Sequence, residues 1–371
     1  MSEADVISRN LGLCGSASHR AVLGLLLVAL DRPAYDDLEQ DLANAQPEHL
    51  AAIANQSYGQ VILHSAFQRN PKLSTHIPED LGIYFAEMQR ANRDRNQHAI
   101  TQLRQIAAIL APHGISVVAL KGGADVLDPL HATPEHRYIS DLDLLVPAAQ
   151  APQAAQLLRQ AKGLSTADQL VQPRAHHHLA QISHPDWVFT IELHVEAGSD
   201  SVAQVLPASD VIARATPSGI EGVMIPNLED RFLHHILHGQ ELRHETASLN
   251  LRLLADHIQY LQKLPERAQN QALNRLNTHK LGAWLKDLTQ LADGLCGAAN
   301  LAPTGWAARA LRSFGDPDEA RAQDNAFWLR HYLRRFVLNK AYRRQALRKS
   351  LSPAAWVEFF AFHKDRRSKF K

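Results

Sequence analysis

The chain has 371 residues, 45% of them apolar and 21% charged, a composition that leaves out collagen-like, coiled-coil and intrinsically disordered classes and allows two or three domains. Its formal net charge of +1 is unevenly spread: residues 326–371 hold 13 Lys and Arg against Glu358 and Asp365, so that segment carries +11 and residues 1–325 carry −10. The longest apolar run, 21–30, is about half of what a bilayer span needs, and no basic-then-apolar leader precedes it. Two distant cysteines, Cys14 and Cys296, suit a reducing compartment and exclude a disulfide framework or a Cys-rich zinc module. A soluble, cytoplasmic protein is expected.

Residues 1–75 read as helices with turns, apolar at a 3.6 period around 21–30 and 50–62 and punctuated by Pro33, Pro47 and Pro71. Residues 80–110 form a second amphipathic helical stretch, stopped by Pro112, His113 and Gly114. The period then changes. Residues 115–120 are an unbroken, β-branched apolar run that suits a buried strand, with a short helix expected over 124–130. Residues 141–146 alternate acid and leucine, as a strand with one apolar and one polar face does. Pro147 is placed to open a helix over 148–162. Residues 178–184 and 187–196 look like a hairpin turned at Pro185-Asp186. A short strand at 222–226 leads to Asn227, an N-cap followed by Glu229 and Asp230 in the first turn. Helices are expected over 228–242, 249–264 and onward to the end. Strands confined to the middle of the chain predict an α+β fold rather than a doubly wound sheet, with a helical region at 1–75, an α+β core at 76–226 and a helical domain with a basic tail at 227–371.

The chemistry concentrates in Leu120-Lys121-Gly122-Gly123 and in the run from Arg137 to Val146, which reads Arg-Tyr-Ile-Ser-Asp-Leu-Asp-Leu-Leu-Val. Asp141 and Asp143 sit two apart on a strand, so both carboxylates leave one face while Leu142 and Leu144 enter the core. Like charges so close repel, and a divalent cation relieves them: Mg²⁺ takes one or two carboxylates together with phosphate oxygens and water. On these grounds Asp143→Asn is expected to leave stability intact or to raise it. Gly122 and Gly123 can let backbone amides approach a triphosphate, and Lys121 supplies a positive charge. On strand 187–196, Thr190, Glu192, His194 and Glu196 share the face opposite Ile191, Leu193 and Val195. Glu192, nearer mid-strand than Glu196, is favoured as the third acid, with His194 beside it as a group for proton transfer.

The Lys-Gly-Gly turn, the run from Arg137 to Val146 and the Glu-Leu-His strand resemble bacterial nucleotidyltransferases of the DNA polymerase beta superfamily. The likeness spans roughly residues 115–256 and takes in the His234-His235-Ile236-Leu237-His238 helix and Asp256. It implies a mixed β-sheet core flanked by helices, and transfer of a nucleoside monophosphate from an NTP to a hydroxyl with release of pyrophosphate. It also implies two Mg²⁺ (or Mn²⁺) ions held by Asp141, Asp143 and Glu192, and a phosphate-facing turn at Gly122 and Gly123. Lys121, Arg137 and Ser140 join the nucleotide-binding set; Arg137 serves either the leaving pyrophosphate or a salt bridge to Asp141 or another acid. The superfamily usually has Gly-Ser where this chain has Gly122-Gly123, and a shorter spacing than the loop at 130–136 gives.

Other chemistries lack their motifs. His234 and His238 are four apart on one helix, but His235 stands where a metalloprotease glutamate would. There is no nucleophile elbow, Walker A or dinucleotide-binding glycine pattern. The basic C-terminal segment, with Phe327, Trp328, Tyr332, Phe336 and Tyr342 among its aromatics, suits a solvated helical face, an anionic partner or nucleic acid. The acceptor (a small molecule such as a sugar or antibiotic, a protein side chain or an RNA end) and the NTP base are not legible. The alternative functional class is a catalytically inactive nucleotidyltransferase-like protein that docks a partner or nucleic acid through its helical flanks.

Overall fold

The structure is a computed structural model that describes residues 2–161, 177–179, 181–245, 249–297 and 303–316, with the backbone alone for 240–245. The basic segment at 326–371 lies outside the described residues.

Five short helices come first: α1 (Glu3–Leu11), α2 (Ala17–Ala29), α3 (Leu38–Asn44), α4 (Pro47–Gln56) and α5 (His64–Arg69). Local signals place their starts. Ser2 and Asp5 form a reciprocal cap on α1, and Pro47 occupies the first turn of α4. α6 (Glu79–Leu110) is a single 32-residue helix, close to the expected 80–110. Its buried stripe runs through Leu81, Phe85, Gln89, Asn92, Asn96, Ala99, Leu103, Ile106 and Leu110, at the three- and four-residue spacing of one helix face.

The strands follow, interleaved with helices: β1 (Val117–Ala119), α7 (Lys121–Leu127), β2 (Leu142–Leu145), α8 (Ala151–Ala161), β3 (Ile191–His194), α9 (Asp200–Val205), α10 (Ala208–Arg214), β4 (Thr216–Pro217) and β5 (Val223–Ile225). They form one mixed sheet in the order β3-β2-β1-β5-β4, with β1–β5 and β2–β3 parallel and β1–β2 and β4–β5 antiparallel. The expected hairpin survives only as two antiparallel bridges, His178 with His194 and Ile182 with Ile191. β4 carried no periodic signal, being two residues long with a proline in it. The C-terminal helices are α11 (Leu228–Glu245), α12 (Leu251–Lys263), α13 (Glu266–Thr278), α14 (Gly282–Leu295) and α15 (Gly305–Gly315). Asn227 accepts the Asp230 amide at 2.8 Å and Asn250 caps α12. Among the described residues no helix is long and apolar enough to cross a membrane.

The sheet separates two apolar cores. Val117, Ala119, Leu142, Leu144, Ile191 and Leu193 face α6 and α8. Val118, Leu120 and Leu145 face the other core, which α2, α11, α12 and α14 build together. Period-two alternation therefore puts Asp143 on the face that the N- and C-terminal helices cover.

Candidate active site

Parallel pairing of β2 with β3 sets Asp143 opposite Glu192 and Leu145 opposite His194. The Asp143 and Glu192 carboxylates and the His194 imidazole offer ligand atoms that lie within 4.8 Å of one another, the one such cluster among the described residues. His194 Nε2 meets Asp143 Oδ1 at 2.7 Å and Glu192 Oε2 at 3.6 Å, while its Nδ1 meets the Glu196 carbonyl at 3.3 Å. Gln181 donates to Glu192 at 2.5 Å. The polar face of these strands is covered: Asp143 is 2% exposed and His194 fully buried, with the His177 and His178 rings each 5.3 Å from that of His194. Glu196 points elsewhere and accepts the Ala208 amide at 3.1 Å, at the start of α10.

Charge compensation sets the titration of this cluster. Burial would raise the Asp143 carboxyl, but Lys121 and His194 hold it far below the usual range. Burial would likewise lower His194, and its hydrogen bonds to Asp143 and Glu192 carry it above the ordinary value instead. Glu192 falls to about 2, chiefly through its hydrogen bond with His194. Raised and engaged at both ring nitrogens, His194 acts as a donor that fixes the two carboxylates.

Lys121 Nζ lies 2.9 Å from Asp143 Oδ1. The lysine reaches it from a left-handed backbone, φ +48°, a conformation that L-residues adopt at a cost of about 1–3 kcal/mol and that concentrates at functional sites. The turn after β1 thus falls at Leu120-Lys121, and Gly122 and Gly123 are buried in the first turn of α7 rather than forming the turn itself. Gly122 answers a packing demand: a Cβ there would come within 2.8 Å of Ile139. Gly123 has ordinary room, 3.5 Å from Ala119. Asp141 stands half-buried just ahead of β2, outside the 4.8 Å cluster, and accepts the exposed Ser140 hydroxyl at 2.9 Å. Its pKa is raised by burial and by the Asp143 charge.

Arg137 joins the helices to this sheet. Its Nε lies 3.1 Å from both Asp125 on α7 and Asp256 on α12, and Arg231 on α11 bonds Asp125 at 2.7 Å. The long 130–136 loop serves the same junction: His131 meets Asp256 at 2.7 Å, and Asn92 and Asn96 on α6 donate to the Glu135, Pro134 and Arg137 carbonyls. A cleft of about 530 Å³, open to solvent, lies over these ion pairs, with Lys121 and Arg252 also at its wall and His234, His235 and His238 along α11. Burial and the neighbouring Arg137 charge lower Arg252 to about 10. Burial drives His234 down to about 3, so it faces the cleft as a neutral imidazole.

The model of a family described as uncharacterised nucleotidyltransferase matches residues 43–297. The chain belongs to that family. The match includes the acid-bearing strands, the helices that cover them, and N-terminal helix α4, beyond the 115–256 stretch that the sequence motifs carry. No curated protein and no solved structure matches the chain. For this nucleotidyltransferase the Asp143 and Glu192 carboxylates fit a hard divalent cation such as Mg²⁺ or Mn²⁺, with His194 bracing them rather than ligating the ion.

The sequence motifs lead to Asp141, Asp143, Glu192, His194 and Lys121, which the fold gathers around one end of β2. They do not lead to Asp125, Arg231 or Arg252, which come from α7, α11 and α12 with no local pattern around them. Asp125 carries the one usable signal, an acid four residues after Lys121 in a short, otherwise apolar stretch.

Proposed function

We propose that this nucleotidyltransferase moves a nucleoside monophosphate from an NTP to a hydroxyl acceptor and releases pyrophosphate. The observation that carries the reading is the in-register pairing of Asp143 with Glu192, braced by His194, beside Lys121 at the wall of a basic cleft. Asp143 and Glu192 would hold Mg²⁺ or Mn²⁺, with Asp141 joining them when the nucleotide brings a second ion. Bound there, the metal neutralises phosphate charge and lowers the pKa of the acceptor hydroxyl.

The acceptor oxygen bonds to the α-phosphorus as the bond from that phosphorus to the pyrophosphate oxygen breaks, in line with it. The hydroxyl proton leaves to solvent through the open cleft. Lys121 releases Asp143 and follows the developing charge on pyrophosphate, and Arg137 keeps the segment that carries Ser140 and Asp141 in place. An NTP and a divalent ion as co-substrates suit the cytoplasm. Acceptor capture is assigned to the helical flanks and to the basic 326–371 segment, so capture of a polyanionic acceptor would weaken steeply with salt.

The test is a thermal-shift series with each NTP, with and without Mg²⁺ or Mn²⁺, followed by labelling of a cell extract with α-³²P-NTPs. Coupled stabilisation by metal and nucleotide together with label transfer supports the reading. Coupled stabilisation with no transfer to any acceptor would favour the nucleotidyltransferase-like binding protein, and no coupling at all would sink both.

A further inference from the structure

Beside Arg252, which lines the cleft, an exposed aromatic ring sits in a backbone position that disfavours it. Tyr58 follows α4 with φ +60° and is 44% exposed. The Gly59 amide bonds Ala54 O at 2.8 Å and the Tyr58 amide bonds Asn55 O at 3.2 Å, so Tyr58 fills the left-handed cap position that glycine usually takes. Among the described residues, the other left-handed ones outside the site and glycine, Asp31 and Lys280, are polar. Packing does not account for a bulky ring there, since nearly half of the residue faces water.

The ring has neighbours of one kind. The Arg252 guanidinium lies 5.0 Å from its centroid, and the Tyr138 ring lies 6.0 Å away, tilted by 30°. Tyr138 is three residues ahead of Asp141, and its carbonyl accepts from Arg252 at 3.4 Å. The Leu251 amide bonds Ser57 O at 2.9 Å, which ties the Tyr58 cap to the helix carrying Arg252.

Arg252 is set apart by its pairing. The other cleft cations have carboxylates: Lys121 has Asp143, Arg137 has Asp125 and Asp256, and Arg231 has Asp125 and Asp128. Among the described residues no carboxylate lies within salt-bridge distance of Arg252. A guanidinium at a cleft wall with no described carboxylate in salt-bridge contact can receive an anion, and a planar ring beside it is a stacking surface for a base.

We infer that Tyr58, Tyr138 and Arg252 form the nucleotide subsite, with the phosphate chain on Arg252 and Lys121 and the base stacked on Tyr58. The inference rests on the nucleotidyltransferase reading and adds to it where the donor lies. The α4 cap thereby becomes part of the site, although it is some 80 residues ahead of the acids in sequence.

Isothermal titration of the full chain with Mn²⁺ tests it, using an α,β-methylene NTP analogue and inorganic tripolyphosphate as paired probes. Tyr58→Gly removes the ring and suits the left-handed backbone, so the variant folds. It should bind the analogue about tenfold more weakly, the range expected for one base–aromatic stack, and tripolyphosphate unchanged. Tyr58→Phe should bind both as the wild type does. Arg252→Gln should weaken both probes alike. Equal loss of both probes in Tyr58→Gly, or loss of neither, overturns the base platform, and undiminished tripolyphosphate binding by Arg252→Gln overturns the phosphate role. If the wild type binds both probes, either result leaves the nucleotidyltransferase reading standing; a wild type that binds neither fails at the broader level.

Discussion

Asp143 meets two cationic partners on one carboxylate oxygen, and that changes what its substitution should do. From the sequence, Asp141 and Asp143 are two repelling acids and Asp143→Asn relieves them. In the structure the raised carboxyl is Asp141, whereas Lys121 at 2.9 Å and His194 at 2.7 Å stabilise the Asp143 charge. Asp143→Asn therefore leaves a buried ammonium and imidazole without their counter-charge, and stability should fall by on the order of 3 kcal/mol in urea unfolding. Transfer activity and metal-coupled nucleotide stabilisation should vanish together. Because the folded pKa of Asp143 is lowered, its stabilisation is present above the unfolded value near pH 4 and is lost as pH falls below it. Glu192 on β3 and Glu196 just past its end separate in the same way. Glu192→Gln should abolish the metal-dependent thermal shift; Glu196→Gln should leave it intact, since Glu196 holds the Ala208 amide at the start of α10. An equal response of the two variants would remove Glu192 from the metal-binding set.

At the scale of elements, the junction between β1 and α7 is a packing device as much as a binding one. Gly122→Ala drives a methyl into the β-branched Ile139 at 2.8 Å and should cost about 1–3 kcal/mol in thermal or urea unfolding, as overpacking does. Gly123→Ala, whose Cβ finds 3.5 Å of room, should stay within about 1 kcal/mol of the parent. Equal destabilisation by both would mean that the turn, not the Ile139 contact, governs the pair. The helices lock onto this junction through Arg137. Arg137→Met uncovers Asp125 and Asp256 together and should lower stability by about 3–5 kcal/mol, the range for breaking a buried pair from one side.

The whole molecule carries a set of buried neutral histidines that couple its stability to pH. Burial lowers His136 to about 4 and His234 and His257 to about 3. Each is depressed below the unfolded value near 6.5, so the unfolded chain takes up protons first. Their stabilisation is complete above about pH 6.5 and is lost as pH falls toward 4 and 3, by at most about 1.4 kcal/mol per pH unit for each histidine. His194 has the opposite sign: its raised pKa stabilises the fold below about pH 6.5, and the effect is lost as pH rises through the folded value. With His19, His177, His235 and His238 lowered in the same way, the depressed imidazoles outnumber His194 and predict a urea midpoint that drops steadily from pH 7 to pH 5. A flat midpoint over that interval would mean that these imidazoles are hydrated in the fold.

The sequence by itself determined the α+β class and the extents of α6, β2 and α12 within a few residues. These rest on local physics: a 3.6 period with caps for helices and a period of two for strands. The tertiary structure alone decided that His194 is buried beneath the histidines that precede β3, that Lys121 bends into a left-handed turn to reach Asp143, and that Arg137 spans Asp125 and Asp256. It also decided that Tyr58 and Arg252, far apart in sequence, stand side by side. Ion pairs and ring contacts between distant residues leave no period in the chain, because the partner that fixes each one is supplied by another element, and only packing of the helices over the sheet brings them within reach.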